Sequence, residues 1–410
     1  MGVRLRNGAL VFVFSTLAGV AVWVWWGGNG ESGSKAGAQA GGARVHEGTG
    51  SREKTEFSQG AGMQGDGAGM RNGNGVGERR EVAPRLVVLR DLEAACARIS
   101  TMKNAEQVRV LLEQMAARLE ALSPEEAVAV VREMLRGKQD AATGLGFTVG
   151  EGGWLRGAPS FRCWLLDRLS RIDSDAAATE AAQIVQERGS AEEWALALRD
   201  LARVRKGAED GVFLRNKVRE LVGDSRWRAE QSAGWLEAFD AVVHLRDVEM
   251  TGELASLAAV REGAGVPAAK AASLALDRLV QADPVEVLGR LLADGRLLEG
   301  REAMRASFFA RADVRDPQQR AVLERYLLDP ARAVVERERF FGLYPNAHFA
   351  LSQNLLTRTV GVGQDEQRAR DRAALEVVGA WLKDVRFARM RSQLEQVRER
   401  LDEFVGEGGR

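Results

Sequence analysis

The side chains best suited to hold a ligand are concentrated in one stretch near the C-terminal end of the chain. Residues 340–356 read FFGLYPNAHFALSQNLL and bring hydroxyl, amide and imidazole groups close together in sequence. Such groups donate and accept hydrogen bonds, and the phenylalanines could form the apolar walls of a pocket. The candidate residues for a ligand pocket or a partner surface are Tyr344, Asn346, His348 and Asn354.

The same stretch also has a purely structural interpretation. In this interpretation a helix ends at Gly342, and Tyr344, Pro345 and Asn346 form a turn. The next helix then begins with apolar residues that pack inward, namely Phe349, Leu351 and Leu355. This helix, turn and helix is the simpler of the two interpretations.

Trp154 is the fifth candidate, and it lies in a loop. Residues 138–159 contain six glycines around Phe147, Val149, Trp154 and Leu155, and they form the longest predicted non-helical stretch of the folded part. A glycine-rich loop with aromatic residues can bind a partner, or it can be an insertion that its aromatic residues hold against the core. The sequence favours the insertion, and it also leaves open a sub-boundary between domains at 138–159.

Metal and cofactor motifs are missing from the sequence. His46, His244 and His348 are isolated, so they cannot form the two-histidine helix motif of zinc hydrolases. Cys96 and Cys163 lack the paired spacing of a structural zinc site. We therefore expect no metal and no cofactor.

Catalytic pairs are equally hard to find. Glu125-Glu126 and Glu192-Glu193 fall in the first turns of predicted helices, where the helix dipole accounts for acidic residues. A glycine pattern from Gly60 to Gly65 fits a dinucleotide fingerprint, but neither a strand nor a helix is predicted beside it. The sequence thus predicts no catalytic residue, and an enzyme is the less favoured class.

Composition excludes some classes of partner. The chain has 58 Lys and Arg residues and 58 Asp and Glu residues, and this net charge of zero argues against a nucleic-acid binder.

Cys96 and Cys163 could pair in an oxidising compartment. Each also falls on the apolar face of a predicted helix, and two buried thiols are the favoured interpretation.

An uncharged segment near the N-terminus predicts the location of the protein. Residues 9–26 hold about 18 apolar or small residues, which as a helix span roughly 27 Å, near the thickness of a bilayer. Arg4 and Arg6 keep residues 1–8 in the cytoplasm by the positive-inside rule, so the C-terminal part is exported. A signal anchor in the inner membrane is predicted. The alternative is a signal peptide cleaved near Gly19 and Ala21, which would release a periplasmic or secreted protein.

The remaining chain divides into a linker and a helical domain. Residues 27–83 are rich in glycine and poor in large apolar residues, which predicts a disordered linker with a reach on the order of 40 Å. From residue 84 to residue 410, apolar residues recur every three or four positions, and no strand is predicted. Helix starts are predicted at the capping residues Asn104, Ser123, Asp175, Ser190, Asp283, Asp316 and Asp329.

About fifteen short helices in antiparallel pairs resemble an α-solenoid of the HEAT or a similar helical-repeat type. The resemblance covers about Pro84 to Phe404 and concerns architecture, because no repeat period is strict enough to align. It therefore implies an all-α helical-repeat array without assigning a family function or binding residues.

Two functions are compatible with these features. The favoured one is a membrane-anchored, extracytoplasmic helical-repeat scaffold or adaptor of a bacterial envelope that binds a protein partner. The alternative is an extracytoplasmic helical enzyme or ligand-binding protein that acts on a cell-envelope polymer, with Trp154 or the stretch from Tyr344 to Asn354 in its cleft.

Overall fold

The computed structural model describes residues 83–187, 189–349 and 351–406, which belong to one compact unit between Val82 and Arg410. The predicted anchor at 9–26 and the predicted linker, apart from its last residue, lie outside these residues. Within the described ranges, none of the helices is both long enough and apolar enough to cross a bilayer. These ranges form an all-α unit, as the periodicity predicted.

The first three helices begin where the sequence predicted, the second and third of them at predicted capping residues. Asn104 accepts hydrogen bonds from the backbone N–H groups of Glu106 and Gln107, and Ser123 forms a capping box with Glu126. Pro84 is the first residue of its helix, a position that needs no backbone N–H. The helices are α1 (Pro84–Ile99), α2 (Ala105–Glu120) and α3 (Pro124–Arg136).

In the next helices, one predicted N-cap residue is wrong by two positions and another is correct. Asp173, and not Asp175, caps the alanine-rich helix, because its carboxylate accepts from the N–H groups of Asp175 and Ala176. Ser190 caps its helix as predicted, but the Glu193 carboxylate binds Arg162 instead of completing a capping box. These helices are α4 (Phe161–Ile172), α5 (Ser174–Ile184), α6 (Ala191–Val204), α7 (Ala208–Gly223) and α8 (Ser225–Glu230).

Of the three Asp-Pro pairs in the C-terminal half, one starts a helix in the predicted way. Asp316 accepts from the N–H of Gln318, whereas Asp283 precedes its helix without a side-chain cap. The prediction at Asp329 is wrong, because its carboxylate accepts from the N–H of Ala331 in a turn and the helix begins later. The helices of this half are α9 (Ala233–Glu237), α10 (Asp240–His244), α11 (Thr251–Ala258), α12 (Val266–Ala282), α13 (Pro284–Ala293), α14 (Glu302–Phe309), α15 (Pro317–Leu328), α16 (Val334–Leu343), α17 (Gln364–Trp381) and α18 (Arg391–Gly406).

Helices pack mainly on helices that are close to them in sequence. Examples are α5 on α6, α11 on α12, α14 on α16 and α17 on α18. The buried side chains form one continuous hydrophobic cluster along the described unit. Cys96 and Cys163 are free and buried within it, which confirms their interpretation as packed thiols, and burial raises the pKa of both.

Two short antiparallel hairpins interrupt the helices, so the expectation of no strand is wrong at these places. The first hairpin consists of β1 (Thr148–Val149), a 3₁₀ turn (Glu151–Gly153) and β2 (Leu155–Gly157). The second hairpin consists of β3 (Ser352–Gln353) and β4 (Arg358–Thr359), with Ser352 opposite Thr359.

The second hairpin replaces the helix that was predicted to begin at Phe349. Helix α16 ends at Leu343, a cis peptide bond joins Tyr344 to Pro345, and the next helix begins at Gln364. Leu355 is buried as predicted, but Leu351 is 58% exposed. The physical reason is a long-range contact, because a carboxylate on α10 binds the backbone N–H groups that a helix at this place would have used.

Candidate functional site

The two loops that the sequence singled out meet at one place in the structure. The turn of the first hairpin contacts β3 of the second hairpin, although about 200 residues separate them in sequence. Arg203 on α6 joins the two hairpins, because its Nη2 donates to the carbonyl oxygens of Gly152 at 2.6 Å and Leu355 at 3.3 Å. We call this meeting place the hairpin junction.

Backbone groups of the first hairpin are bound by charged side chains of α4 and α6. Arg199 Nη1 donates to the carbonyl oxygen of Gly153 at 3.1 Å. The backbone N–H of Leu155 donates to Asp167 Oδ1 at 3.1 Å, and its carbonyl oxygen accepts from Arg171 Nη2 at 3.2 Å. The first hairpin is therefore held by side chains of α4 and α6 as well as by the pairing of its own short strands.

Trp154 lies among three guanidinium groups at this place. The distances from guanidinium carbon to ring centroid are 5.1 Å for Arg171, 5.2 Å for Arg199 and 4.1 Å for Arg203. Two buried nitrogens without a hydrogen-bond partner, Arg199 Nη2 and Arg203 Nη1, belong to these groups. The electron-rich face of the ring stabilises nearby cations, so Trp154 holds the first hairpin against the core.

The charges under Trp154 form a buried network. Arg199 is fully buried, and it donates to Asp167 Oδ1 at 2.6 Å and to Asp200 Oδ1 at 2.7 Å. Ser170 also donates to Asp200 Oδ1, at 2.9 Å. A buried arginine remains charged at tolerable free energy only when carboxylates lie beside it. The two aspartates therefore fix the position of the guanidinium that carries the first hairpin.

The second hairpin is held by one buried carboxylate. Asp240 Oδ2 accepts from the backbone N–H groups of Leu356 at 2.6 Å and Thr357 at 2.9 Å. The hydroxyl of Thr357 donates to Asp240 Oδ1, which also accepts from Arg278 Nη1 at 2.9 Å. Side chains of α10 and α12 thus form hydrogen bonds with the tip of the second hairpin.

Burial and nearby charges perturb Arg203 at the hairpin junction and Glu237 near Asp240. Burial, together with the charges of Arg199 and Arg171, lowers the pKa of Arg203 to about 10. Burial and the charge of Asp240 raise the pKa of Glu237 to about 7. Perturbed groups of this kind cluster at functional sites more often than elsewhere. The junction is therefore the candidate functional site.

The residues predicted from the sequence are only partly brought together here. Trp154 lies in the first hairpin, and Asn354 shapes the turn of the second by donating from its side chain to Ser352 Oγ at 2.9 Å. Asn346 belongs to a separate turn, where its side chain accepts from the backbone N–H of His348 at 3.1 Å. His348 is exposed there, and Arg311 donates to its carbonyl oxygen.

Tyr344 is a core residue in this structure. Its ring stacks on Phe340 with centroids 5.1 Å apart and lies 6.1 Å from the ring of Trp381. The hydroxyl is buried without a hydrogen-bond partner. Tyr344 also lines a cavity of about 10 Å³, which has room for about one water. Burial raises the pKa of Tyr344. A larger opening, of about 400 Å³, lies between α1 and α2 and shares no lining residue with the hairpin junction.

The charged residues of the junction were missed in the sequence, although a signal exists for two of them, Asp167 and Arg278. Leu-Asp-Arg-Leu occurs at residues 166–169 and again at residues 276–279, and its aspartates are Asp167 and Asp277. Both aspartates are buried, on helices whose apolar residues also face the core. A charged pair repeated inside apolar helices indicates buried ion pairs, because an unpaired charge would be too costly there.

The comparisons with known proteins do not assign the site. Among the described residues, no group of three or more histidines, cysteines or carboxylates is arranged to hold a metal ion. No protein-family model, no curated protein sequence and no solved structure matches this chain.

Proposed function

We propose that this protein is a membrane-anchored, extracytoplasmic helical-repeat scaffold that binds a protein partner at the hairpin junction. One observation carries the proposal: two loops far apart in sequence are fixed side by side on the helices by six charged residues of the helices. Loops positioned by a rigid scaffold are the usual place of binding residues.

Recurring ion pairs support the helical-repeat part of the proposal. Of the six buried aspartates among the described residues, Asp167, Asp200, Asp240 and Asp277 lie 33, 40 and 37 residues apart, whereas Asp247 and Asp371 lie outside this spacing. Intervals of about 20 to 50 residues are typical of solenoid repeats. Three of these aspartates pair with an arginine of a later helix or of the residues just after it, as Arg199 with Asp167, Arg278 with Asp240 and Arg311 with Asp277.

The exposed side chains of the hairpins support a partner with an acidic segment. Arg156 on β2 and Arg358 on β4 are exposed, and neither makes an ion pair within 4.0 Å among the described residues. Leu351 and Val360, at the open end of the second hairpin, are 58% and 57% exposed. Arginine beside exposed apolar side chains is a common composition of protein interfaces. The partner would therefore bring carboxylates and a small apolar surface.

The N-terminal sequence supports the location. An uncharged segment at 9–26, preceded by Arg4 and Arg6, predicts an anchor with the helical unit outside the cytoplasm. The glycine-rich residues that follow would allow the helical unit to search for its partner over a distance on the order of 40 Å.

Capture of membrane and envelope proteins by the purified chain tests the proposal. Wild-type protein should recover a partner that remains bound at low salt and is released as salt is raised, because acidic and basic groups form the contact. The variant Arg358→Glu should reduce recovery at least roughly tenfold, since it reverses a charge at the interface.

Arg389→Glu is the matched control, because Arg389 is also exposed, on the 3₁₀ helix from Val385 to Met390. This control should recover the partner as well as wild type does. Equal loss in both variants would mean that net charge alone matters, and equal recovery by all three proteins would refute binding at the hairpin junction.

A further inference from the structure

A groove of about 400 Å³ lies between α1 and α2, the first two helices of the described unit. Within the described part of the chain, it is lined by residues of these two helices alone. The buried side chains of Ala95, Leu111 and Met115 lie in the groove, and Ala94 and Ala117 are exposed at its sides. Because alanine side chains are short, another helix can approach this groove closely.

Two exposed valines extend the apolar surface beyond the groove. Val87 lies four residues before Asp91, and Val110 lies four residues before Gln114, so each is one helical turn from a residue that lines the groove. Val87 is 42% exposed and Val110 is 45% exposed. We call the groove-lining residues together with these two valines the outer face of α1 and α2.

The outer face lies on the first helix pair of the described unit. Helix α1 packs on α2 and α3, and α3 packs on α4. In stacked helices the terminal pairs need a polar outer side, because each has a neighbour on one side only. The last helix, α18, meets this requirement, since none of its described residues exposes a large apolar side chain. The first pair does not meet it, so its outer face is expected to be covered by another surface.

The charges on the outer face complement those of a second copy of the same face. Asp91 and Arg98 lie on α1 on either side of Ala94 and Ala95, about 10 Å apart along the helix. Asp91 pairs with Arg118 of its own chain, whereas Arg98 makes no ion pair within 4.0 Å among the described residues. A two-fold axis that crosses α1 at Ala94 and Ala95 brings Asp91 of each copy opposite Arg98 of the other.

We propose that the outer face of α1 and α2 binds the same face of a second copy of this chain, in a two-fold symmetric dimer. Helix α1 of one copy crosses α1 of the other at Ala94, and the exposed valines are buried between the copies. A head-to-tail contact is disfavoured, because α18 offers the outer face no matching apolar surface. The dimer does not depend on the hairpin junction, which shares no residue with the groove.

The size of the outer face predicts a weak dimer. Helices α1 and α2 have 16 residues each, so each is about 24 Å long, and side by side they are about 20 Å wide. Roughly 500 Å² of each copy, or about 1,000 Å² in total, is therefore available for burial, which is at the lower limit for a specific interface. The dimer should dissociate on dilution.

Disulfide cross-linking of the purified full-length chain tests the dimer. Ala94→Cys places a thiol at the two-fold axis, where the Cα atoms of two copies can come within the roughly 7 Å that a disulfide requires. Ala380→Cys is the matched control, because Ala380 is also an exposed alanine of a helix, α17, but it does not line the groove. Cys96 and Cys163 are buried and should not cross-link.

Non-reducing electrophoresis should show at least roughly tenfold more covalent dimer for Ala94→Cys than for Ala380→Cys. Equal cross-linking of the two variants would overturn the proposal, because chance collisions would explain it. Absence of covalent dimer in Ala94→Cys would also overturn it, because the outer face would then be free or covered by another protein or by other residues of the same chain.

A charge reversal tests the pairing of Asp91 with Arg98. Added to Ala94→Cys, Arg98→Glu should reduce the covalent dimer by roughly tenfold, since it places two carboxylates opposite each other at both symmetric contacts. Arg136→Glu is the control, because Arg136 of α3, like Arg98 of α1, is an exposed arginine in the last turn of its helix. This control should leave the covalent dimer unchanged, and an equal loss in both variants would overturn the two-fold arrangement.

Discussion

Arg199, whose guanidinium is fully buried, is the residue on which the first hairpin depends most. It connects Asp167, Asp200 and the carbonyl oxygen of Gly153, and Trp154 lies against it. Removing one partner of such a network leaves a charge in the protein interior without compensation, and this costs far more than the loss of an exposed pair.

We expect Asp167→Asn to lower the free energy of unfolding by about 3–5 kcal/mol, because Arg199 and Arg171 lose their shared carboxylate. Urea denaturation followed by circular dichroism measures this loss. Asp91→Asn, which breaks an ion pair with the half-exposed Arg118, should change stability by less than about 1 kcal/mol. Similar losses in the two variants would contradict the view that burial gives the network its importance.

Residue type alone could not locate the candidate site. Tyr344 was selected for its hydroxyl, but its environment is decided by Phe340 and Trp381, which lie on two different helices. Trp154 holds its loop against three arginines, in agreement with the insertion that the sequence favoured, and its place in a partner surface stays a prediction. Its arginine partners could not be identified, since they come from α4 and α6 and are 17 to 49 residues away.

At the scale of the element, local signals decide where helices begin. A hydroxyl, amide or carboxylate oxygen that accepts from an N–H two or three residues ahead needs only its own turn, so Asn104, Ser123 and Asp316 were identified from sequence. Asp329 has the same sequence pattern, but there its carboxylate also binds Arg332 at 2.9 Å within a turn. The choice between turn and helix depends on that neighbour and not on the Asp-Pro pair.

Ser123→Ala should lower the free energy of unfolding by about 1 kcal/mol, because the N–H of Glu126 loses its acceptor and the capping box is lost. Thermal and urea denaturation of the purified chain both report this change. Ser100→Ala is a suitable comparison, since the Ser100 hydroxyl donates only to a carbonyl of its own helix end. If the two variants were equally stable, the capping box would not contribute to the stability of α3.

Long-range contacts explain the largest error in the predicted elements. The residues after Phe349 have a helical pattern, and nothing local prevents a helix. Asp240, which is 116 residues before Leu356, binds the tip of the second hairpin and imposes the extended conformation. Sequence periodicity reports which face of an element is apolar, but it contains no information on a carboxylate supplied by a distant helix.

At the scale of the whole molecule, the chain combines a predicted anchor with a helical unit. A reporter enzyme that is active only outside the cytoplasm, fused after Arg410, should be active in cells. Removal of residues 9–26 should leave the fusion inactive and in the soluble fraction. The mass of the mature chain then distinguishes a retained anchor from a cleaved signal peptide. Activity of the fusion in the absence of residues 9–26 would contradict the predicted topology.

The meeting of the two hairpins is the central feature of the proposed function, and two glycines of the first loop provide a matched test of it. Gly153 has a φ of +73°, and a Cβ there would overlap the carbonyl oxygen of Leu355 in the second hairpin. Gly144 has a φ of +72°, with no heavy atom within 4 Å of the position of a Cβ. Alanine therefore introduces the same backbone strain at both positions, but it separates the hairpins only at Gly153.

Partner capture by Gly153→Ala and Gly144→Ala is the most direct measurement. We predict that Gly153→Ala recovers at least roughly tenfold less partner than wild type, a loss of about 1.4 kcal/mol or more in binding free energy. Gly144→Ala should recover as much as wild type. Equal recovery by the two variants would contradict a binding surface formed by the two hairpins together.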